Sequence, residues 1–273
     1  MAHSVSEAAE EILDKEYPVL DHGFVRLVDY CGNDDRIVQA ARISYGAGTK
    51  SYRQDKGLIN YLMRNDHSSP FEMVSFTFHV KMPIFVARQW VRHRTAKMNE
   101  ISGRYSVMTD EVYRPDRAHI NKQSENNRQG REDTMVNDEM AKDVMAKFDA
   151  DHELIFNNYH EMLDNGIARE LSRIDLPLSM YTEMYWSMDL RNLFHFLKLR
   201  CDGHAQYEIQ EYANTILDIV EKVCPIATDA FKNHSMNAVS FSEKETEALK
   251  EMLSGKECPL KGRQKEIFEE KLK

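Results

Sequence analysis

The side chains best suited to chemistry sit in one run, Arg88-Gln89-Trp90-Val91-Arg92-His93-Arg94, continuing to Ser102-Gly103-Arg104. From Arg88 to Arg104 five side chains are cationic (Arg88, Arg92, Arg94, Lys97, Arg104) and one, Glu100, is anionic, in a chain of net charge −9. Like charges held together repel, and a docked anion removes that cost. Phosphate suits arginine because the guanidinium fork matches its oxygens. Arg88 and Arg92 are four residues apart, as are Gln89 and His93, so a helix puts each pair on one face. Gly103 lets backbone approach a ligand closely. A solvated, salt-bridged face is the plainer reading of any basic run.

Further groups lie outside this run. Ser69-Pro70-Phe71-Glu72 carries the spacing of a helix start, with Ser69 as cap, Pro70 in the first turn and Glu72 completing a capping box. Free N–H groups there would suit an anion or cofactor. His67 precedes it. Arg191 and His195 are four apart on the polar side of a helix that Asp189 caps, and Arg200 closes its last turn. Ser102 has no His–Asp pair arranged to activate it and is a weak nucleophile candidate. Cys201 adjoins Arg200, which leaves a lowered-pKa thiol as a minor alternative.

The elements that must position these residues follow from periodicity. A short acidic helix is expected over 5–15 and a strand over Gly23 to Tyr30. A helix carries Ile37, Val38, Ala41 and Ile43, and another runs around Leu58 to Leu62. Val74, Phe76, Phe78 and Val80 alternate with Ser75, Thr77, His79 and Lys81, a strand with one buried face. Pro83 starts a helix that should end near Arg94, with a loop over 95–104. The polar stretch 114–134 reads as a mobile surface loop. A long amphipathic helix over 137–165 turns Met140, Val144, Phe148, Ile155, Tyr159 and Met162 inward. A further helical piece carries Arg169 and Arg173, a strand alternates from Leu178 to Met188, and a helix over 190–200 uses Leu190, Leu193, Phe194 and Leu197. A long helix over 205–223 and a short one over 228–233 follow. Two short helices split at Ser254-Gly255 end the chain. Strands and helices are mixed without regular alternation, so the fold class is α+β, a mixed sheet with flanking helices.

Composition bounds the rest. At 273 residues, 42% hydrophobic and 30% charged, the chain can bury an ample core. No apolar run reaches the roughly 20 residues of a membrane span, and the acidic N-terminus lacks a signal pattern. A cytoplasmic protein with no membrane partner is expected. The four cysteines are scattered, without zinc-ligand or disulfide spacing, so no metal is expected. The acidic balance argues against nucleic acid as a partner.

The run RQWVRHRTAKMNEISGRYS, with Arg92-His93-Arg94, seven residues, then Ser102, resembles the signature of the flavin-dependent thymidylate synthases. HSSPFEMVSFTFHVKMPIFVARQW, RIDLPLSMYTEMYW and LRNLFHFLKLRCDGHAQYEIQEYA are similar to that family too, over roughly residues 21–235. The division this suggests is an N-terminal extension over 1–20, a catalytic domain over 21–241 with a polar insertion at 114–134, and a C-terminal helical extension over 242–273. The tails fall outside what the family explains.

The resemblance implies a homotetramer with active sites between subunits. Deoxyuridylate (dUMP) would be methylated with 5,10-methylenetetrahydrofolate as carbon donor, FAD as hydride source and NADPH as reductant. It implies that Gln89, Trp90, Val91, Arg92, Glu100, Ile101, Ser102, Gly103 and Arg104 bind dUMP. Arg173 and Arg200 would complete that site from another subunit, with Arg200 catalytic. Ser69, Arg92, His93, Arg94, Thr95, Glu100, Asp189, Leu190, Arg191 and His195 would bind FAD, with His67 near the flavin and folate. Lys97, Asp189 and His195 depart from the residues common in the family.

Overall fold

Alternation of apolar and polar residues dictates the centre of the molecule. The computed structural model describes residues 5–43, 52–125 and 129–273. After a short helix α1 (Glu7–Glu10), strands β1 (Glu16–Val19) and β2 (Gly23–Cys31) form a hairpin. Helices α2 (Asp34–Ile43) and α3 (Tyr52–Arg64) lead to a single 3-10 turn (Ser69–Met73), strand β3 (Ser75–Pro83) and helix α4 (Ile84–Trp90). Then come β4 (Lys97–Glu100), the small hairpin β5 (Asn121–Gln123) and β6 (Arg131–Met135), and the long helix α5 (Asp138–Asp164). A short α6 (Arg169–Ser172), strand β7 (Tyr181–Asp189), α7 (Leu190–Arg200) and α8 (Tyr207–Val223) follow. Helices α9 (Pro225–Phe231), α10 (Glu243–Leu253) and α11 (Gly262–Lys271) complete the chain.

The main sheet has the order β1-β2-β3-β7-β4. The α+β class holds, but every pairing is antiparallel, not mixed. The reason is visible in β3. Phe76, Phe78 and Val80 are fully buried while Ser75, Thr77, His79 and Lys81 are not, the one-sided pattern of an antiparallel sheet. Strands β3 and β7 pair over their whole length, from Ser75 opposite Asp189 to Pro83 opposite Tyr181. The core lies between the apolar face of the sheet and helices α4, α7 and α8, where Trp90, Trp186, Phe196 and Tyr212 meet edge to face or tilted. Such pairs add about 0.5–1.5 kcal/mol beyond area burial. On the opposite face Arg26 donates to His79 Nδ1 at 2.8 Å, and His79 Nε2 meets Glu183 at 3.0 Å.

Four expectations change. The helix from Pro83 stops at Trp90, because Arg92 and His93 turn their N–H groups to Gln89 and Trp90 three residues back. The expected loop 95–104 contains an edge strand, β4, paired to β7; its residues are all exposed, so no burial alternation marked it. The stretch 114–134 is not a plain loop but holds the β5–β6 hairpin, tied down by Arg131 on the buried Glu208 at 2.6 Å; its residues 126–128 lie outside the described residues. In α5 only Ala141, Phe156 and Tyr159 are buried, while Met140 and Phe148 are exposed. That apolar stripe is not covered by its own chain.

Asp34, largely buried, accepts the Ile226 and Ala227 N–H groups at 2.8 and 2.9 Å and so caps α9 from α2. Burial pushes its carboxyl up to about 6, against the pull of those two bonds. A folded pKa above the unfolded one means stability from this group is greatest below about 3.9 and is lost as pH rises through about 6. We predict that the difference in urea midpoint between wild type and Asp34→Asn changes across pH 4 to 6 in that direction; a pH-independent difference contradicts it.

Candidate functional site

Two groups of the expected residues form within one chain. The first gathers where α4 ends and α7 ends. Arg200 Nε donates to His93 Nε2 at 3.0 Å, and a terminal nitrogen of Arg200 reaches the Gln89 carbonyl at 3.3 Å. The ring of His93 is packed edge-on against Phe196 with centroids 4.9 Å apart, and His195 stands 6.0 Å away. His93 is buried. Burial, then the Arg200 charge, then His195 hold its pKa down at about 4. The imidazole is therefore neutral and accepts, which fixes the guanidinium plane. Burial also lowers Arg200 from its ordinary range, yet an arginine keeps its charge in proteins. Gln89 donates to Gln206, a residue the sequence reading did not single out.

The second group surrounds the end of β4. Glu100 accepts from Thr182 at 2.7 Å, and Ile101 N–H continues the ladder to the Glu183 carbonyl at 2.9 Å. The Ser102 hydroxyl accepts the Arg104 N–H at 3.3 Å, and its carbonyl accepts from Tyr105 and Ser106, so the loop is a tight turn. Gly103 is buried, and a Cβ there would meet Arg173 Cδ and Met108 Sδ at 3.0 Å. Glycine thus lets Arg173 lie across the loop. Arg104 pairs with Glu170 at 3.2 Å. Thr182 was also missed, because it lies in no charged run and only tertiary contact reveals it; Glu170 stands beside Arg169 on the short helical piece, and its pairing with Arg104 is likewise set by tertiary contact.

Within one chain Arg173 joins the 102–104 loop, and Arg200 joins Gln89 and His93. Among the described residues no hydrogen bond or ion pair links the two groups. Arg88, Arg92 and Arg94 are exposed, and their guanidinium groups form no hydrogen bond or ion pair with described residues. Val91 is half-buried and Thr95 exposed.

Two residues fall inside the core instead. The Trp90 indole is 0% exposed, packed on Trp186, Phe196 and Tyr212, so its ring has no surface to offer a nucleotide. The Leu190 side chain is equally buried, and its N–H is spent on the Val74 carbonyl at 2.8 Å. Asp189 is occupied as well: its oxygens accept the N–H and side-chain amide of Asn192 at 2.9 and 2.7 Å. The helix end accounts for an acid at that position.

The remaining flavin candidates border two open clefts beside the 3-10 turn Ser69–Met73. One, about 880 Å³, is lined by His67, Ser69 and Tyr61; the other, about 420 Å³, by Arg191, His195 and Lys198. The capping box expected there is absent, since Ser68 is the cap residue and Glu72 turns toward Arg191 at 3.6 Å. The Cys201 thiol is pushed up to about 12, chiefly by burial, which removes it as a thiolate nucleophile. Among the described residues no cluster of His, Cys, Asp or Glu could hold a metal ion, and no helix is long and apolar enough to cross a membrane.

Comparison with known proteins now decides the family. A family model described as thymidylate synthase complementing protein matches residues 26–226. A second, described as thymidylate synthase ThyX C-terminal domain, matches residues 239–273.

The chain belongs to the flavin-dependent thymidylate synthase family.

A flavin-dependent thymidylate synthase of Treponema denticola is 55% identical over 261 residues, 96% of this chain and 98% of its own. That of Treponema pallidum is 52% identical over 273 residues, 100% and 90% of the two chains. A crystal structure of the UMP/dUMP methylase PolB from Streptomyces cacaoi, bound with 5-Br UMP, superposes with a TM-score of 0.72. It is 33% identical and covers 80% of this chain and 97% of that one. The C-terminal segment, expected to lie outside the family pattern, thus matches a family model of its own.

We predict that His93 stays neutral down to about pH 4. Nitrogen NMR of the labelled imidazole should show no protonation between pH 5 and 8. Because the folded pKa lies below the unfolded one, the group costs stability as pH falls from about 6.5 to 4. Titration of this ring near 6.5 contradicts the buried pairing with Arg200.

Proposed function

We propose that the protein methylates deoxyuridylate reductively to thymidylate as a flavin-dependent thymidylate synthase. FAD is the flavin, NADPH its reductant and 5,10-methylenetetrahydrofolate the carbon donor. The observation that carries this reading is Arg200, a guanidinium locked by a neutral His93 and a backbone carbonyl, among exposed unpaired arginines in a chain of this family. The ligand in the PolB structures, 5-Br UMP in one and 5-Br dUMP in the other, supports a pyrimidine monophosphate as the substrate class.

The chain's residues divide the work by charge and geometry. Arg104, Arg173 and the N–H groups of the Ser102–Gly103 turn hold the phosphate; each charge-assisted bond contributes about 1.5–3 kcal/mol. Gln89, Arg92 and Arg200 face the base. Uracil C5 is a poor nucleophile, and a fixed cation at the N3–C4 edge stabilises the negative charge that develops as C5 attacks the one-carbon unit. C5 then gives up its proton, the bond from the methylene to the folate nitrogen breaks so that tetrahydrofolate leaves, and the methylene left on C5 must gain a hydride to become methyl. A bound reduced flavin supplies that hydride. His67, Ser69, Arg191 and His195 line clefts of a size to hold the flavin beside the arginines, with Arg94 and Thr95 at the exposed end of the signature run. Holding the partners in line accounts for about 7–11 kcal/mol of barrier at most.

The two groups, unlinked within one chain, fit a site assembled between subunits, and the uncovered apolar stripe of α5 fits a subunit contact in a homotetramer.

We predict that purified protein is yellow and that Arg200→Ala keeps its flavin absorption yet loses thymidylate formation by about 10²-fold or more, the scale of removing one transition-state electrostatic contact. Retained turnover in Arg200→Ala refutes the role of Arg200. A folded preparation that takes up no flavin refutes the reading itself.

A further inference from the structure

Arg36, in the first turn of α2, is a wall residue of the larger cleft beside the 3-10 turn, the cleft of about 880 Å³ that also holds His67 and Ser69. The residue is half-buried, and its guanidinium makes no hydrogen bond or ion pair with described residues. Its Nε is enclosed in the wall, whereas neither terminal nitrogen is, so those two groups are what the side chain offers outward. The other arginine of α2 has a structural use: Arg42 pairs with Asp55 of α3, which holds together the two helices that wall the cleft.

The place is unfavourable for an idle cation. The first turn of a helix is the positive end of its dipole. Asp34 is spent on α9, Asp35 is exposed, and Asp66, the one acid lining the cleft, forms no ion pair with Arg36. The stem is nonetheless fixed. Gly32 has a left-handed φ of +85°, and a Cβ there would meet Arg36 Cβ and Cγ at 3.0 Å. A guanidinium with a packed stem, open terminal donors and no protein acceptor suits an oxyanion from outside.

The rest of the lining says what carries that oxyanion. Ala40, Ala41, Leu58, Leu62 and Pro70 are apolar, and the exposed ring of Tyr61 stands edge-on to His67 with centroids 5.7 Å apart. Such a wall takes a flat ring. From Arg36 to Ile43, seven residues along α2, the cleft runs roughly 10 Å at about 1.5 Å per residue, room for a ring and a phosphate ester end to end. The cleft adjoins the smaller one of Arg191 and His195 through the shared residues Leu62, Asp66 and Ser68, so one elongated ligand can reach both.

We propose that Arg36 holds a phosphate of a dinucleotide cofactor laid along this cleft. The assignment rests on the flavin enzyme proposed above and adds to it a binding residue outside the Arg92–Ser102 run. A phosphate can come from FAD or from the NADPH that reduces it. FAD-loaded protein is diluted and the released flavin followed by fluorescence at several salt concentrations, with FMN loaded in parallel, and the KM values for NADPH and methylenetetrahydrofolate are measured. Arg36→Ala and Arg36→Gln are expected to raise the FAD dissociation constant at least about tenfold and to flatten its dependence on salt, since a charge has been lost. An equal loss for FMN identifies the phosphate the two flavins share, and a loss for FAD alone identifies the adenylate phosphate. A rise of that size in the NADPH KM, with FAD held as tightly as before, identifies the nicotinamide dinucleotide as the source; each of these agrees with the site. A change confined to the methylenetetrahydrofolate KM, or an affinity loss that keeps the wild-type salt dependence, overturns it. Flavin-loaded wild type matched by both variants in FAD affinity and NADPH KM refutes the role of Arg36 alone, whereas wild type that takes up no flavin refutes the parent reading and this one with it.

Discussion

The site depends on a guanidinium held by an imidazole that has lost its basicity. His93 is buried against Phe196, and a protonated ring there would face both desolvation and the Arg200 charge. Desolvation makes the neutral, accepting form the stable one. Arg200 then has one nitrogen bound to a ring that cannot rotate and another on a carbonyl, so its remaining donors point in a fixed direction. A free arginine would pay rotamer entropy on every encounter with a ligand. The fold instead settles that cost once, through the Trp90, Trp186 and Phe196 packing beneath it.

The two groups of basic residues are carried by neighbouring elements of one chain segment. Helix α4 leaves the sheet at Pro83 and carries Gln89, Arg92 and His93 to the end of α7. Strand β4 leaves the same segment and carries Glu100 to Arg104 along the edge of β7. The burial of Trp90 against Trp186, Phe196 and Tyr212 explains why an aromatic stands in the middle of a charged run. A short exposed edge strand of polar and charged residues also resists pairing with stray chains.

Much of this was legible in sequence because local rules sufficed. The strands Ser75–Pro83 and Tyr181–Asp189, the cap at Asp189 and the helix Leu190–Arg200 all follow from alternation, capping and an apolar stripe. The basic run announced itself by charge. What escaped were features set by tertiary contact. The edge strand Lys97–Glu100 buries nothing, so it had no period to read. The hairpin at 121–135 is tied to the body by the ion pair of Arg131 with Glu208, 77 residues further on and unremarkable in sequence. Trp90 and Leu190 stand inside motif-bearing stretches, and only burial separates them from their neighbours that face outward. Asp189, a departure from the residue common in the family, has a structural use as a cap that accepts two bonds from Asn192.

The central claim is that the His93-held guanidinium is what meets the pyrimidine. A crystal structure of the flavin-loaded protein with deoxyuridylate tests it directly. The account predicts Arg200 in hydrogen-bond contact with the uracil ring while its Nε remains on His93, and Arg104 or Arg173 on the phosphate. A bound nucleotide that leaves Arg200 facing solvent, or an Arg200 that has let go of His93 to reach it, would contradict the account.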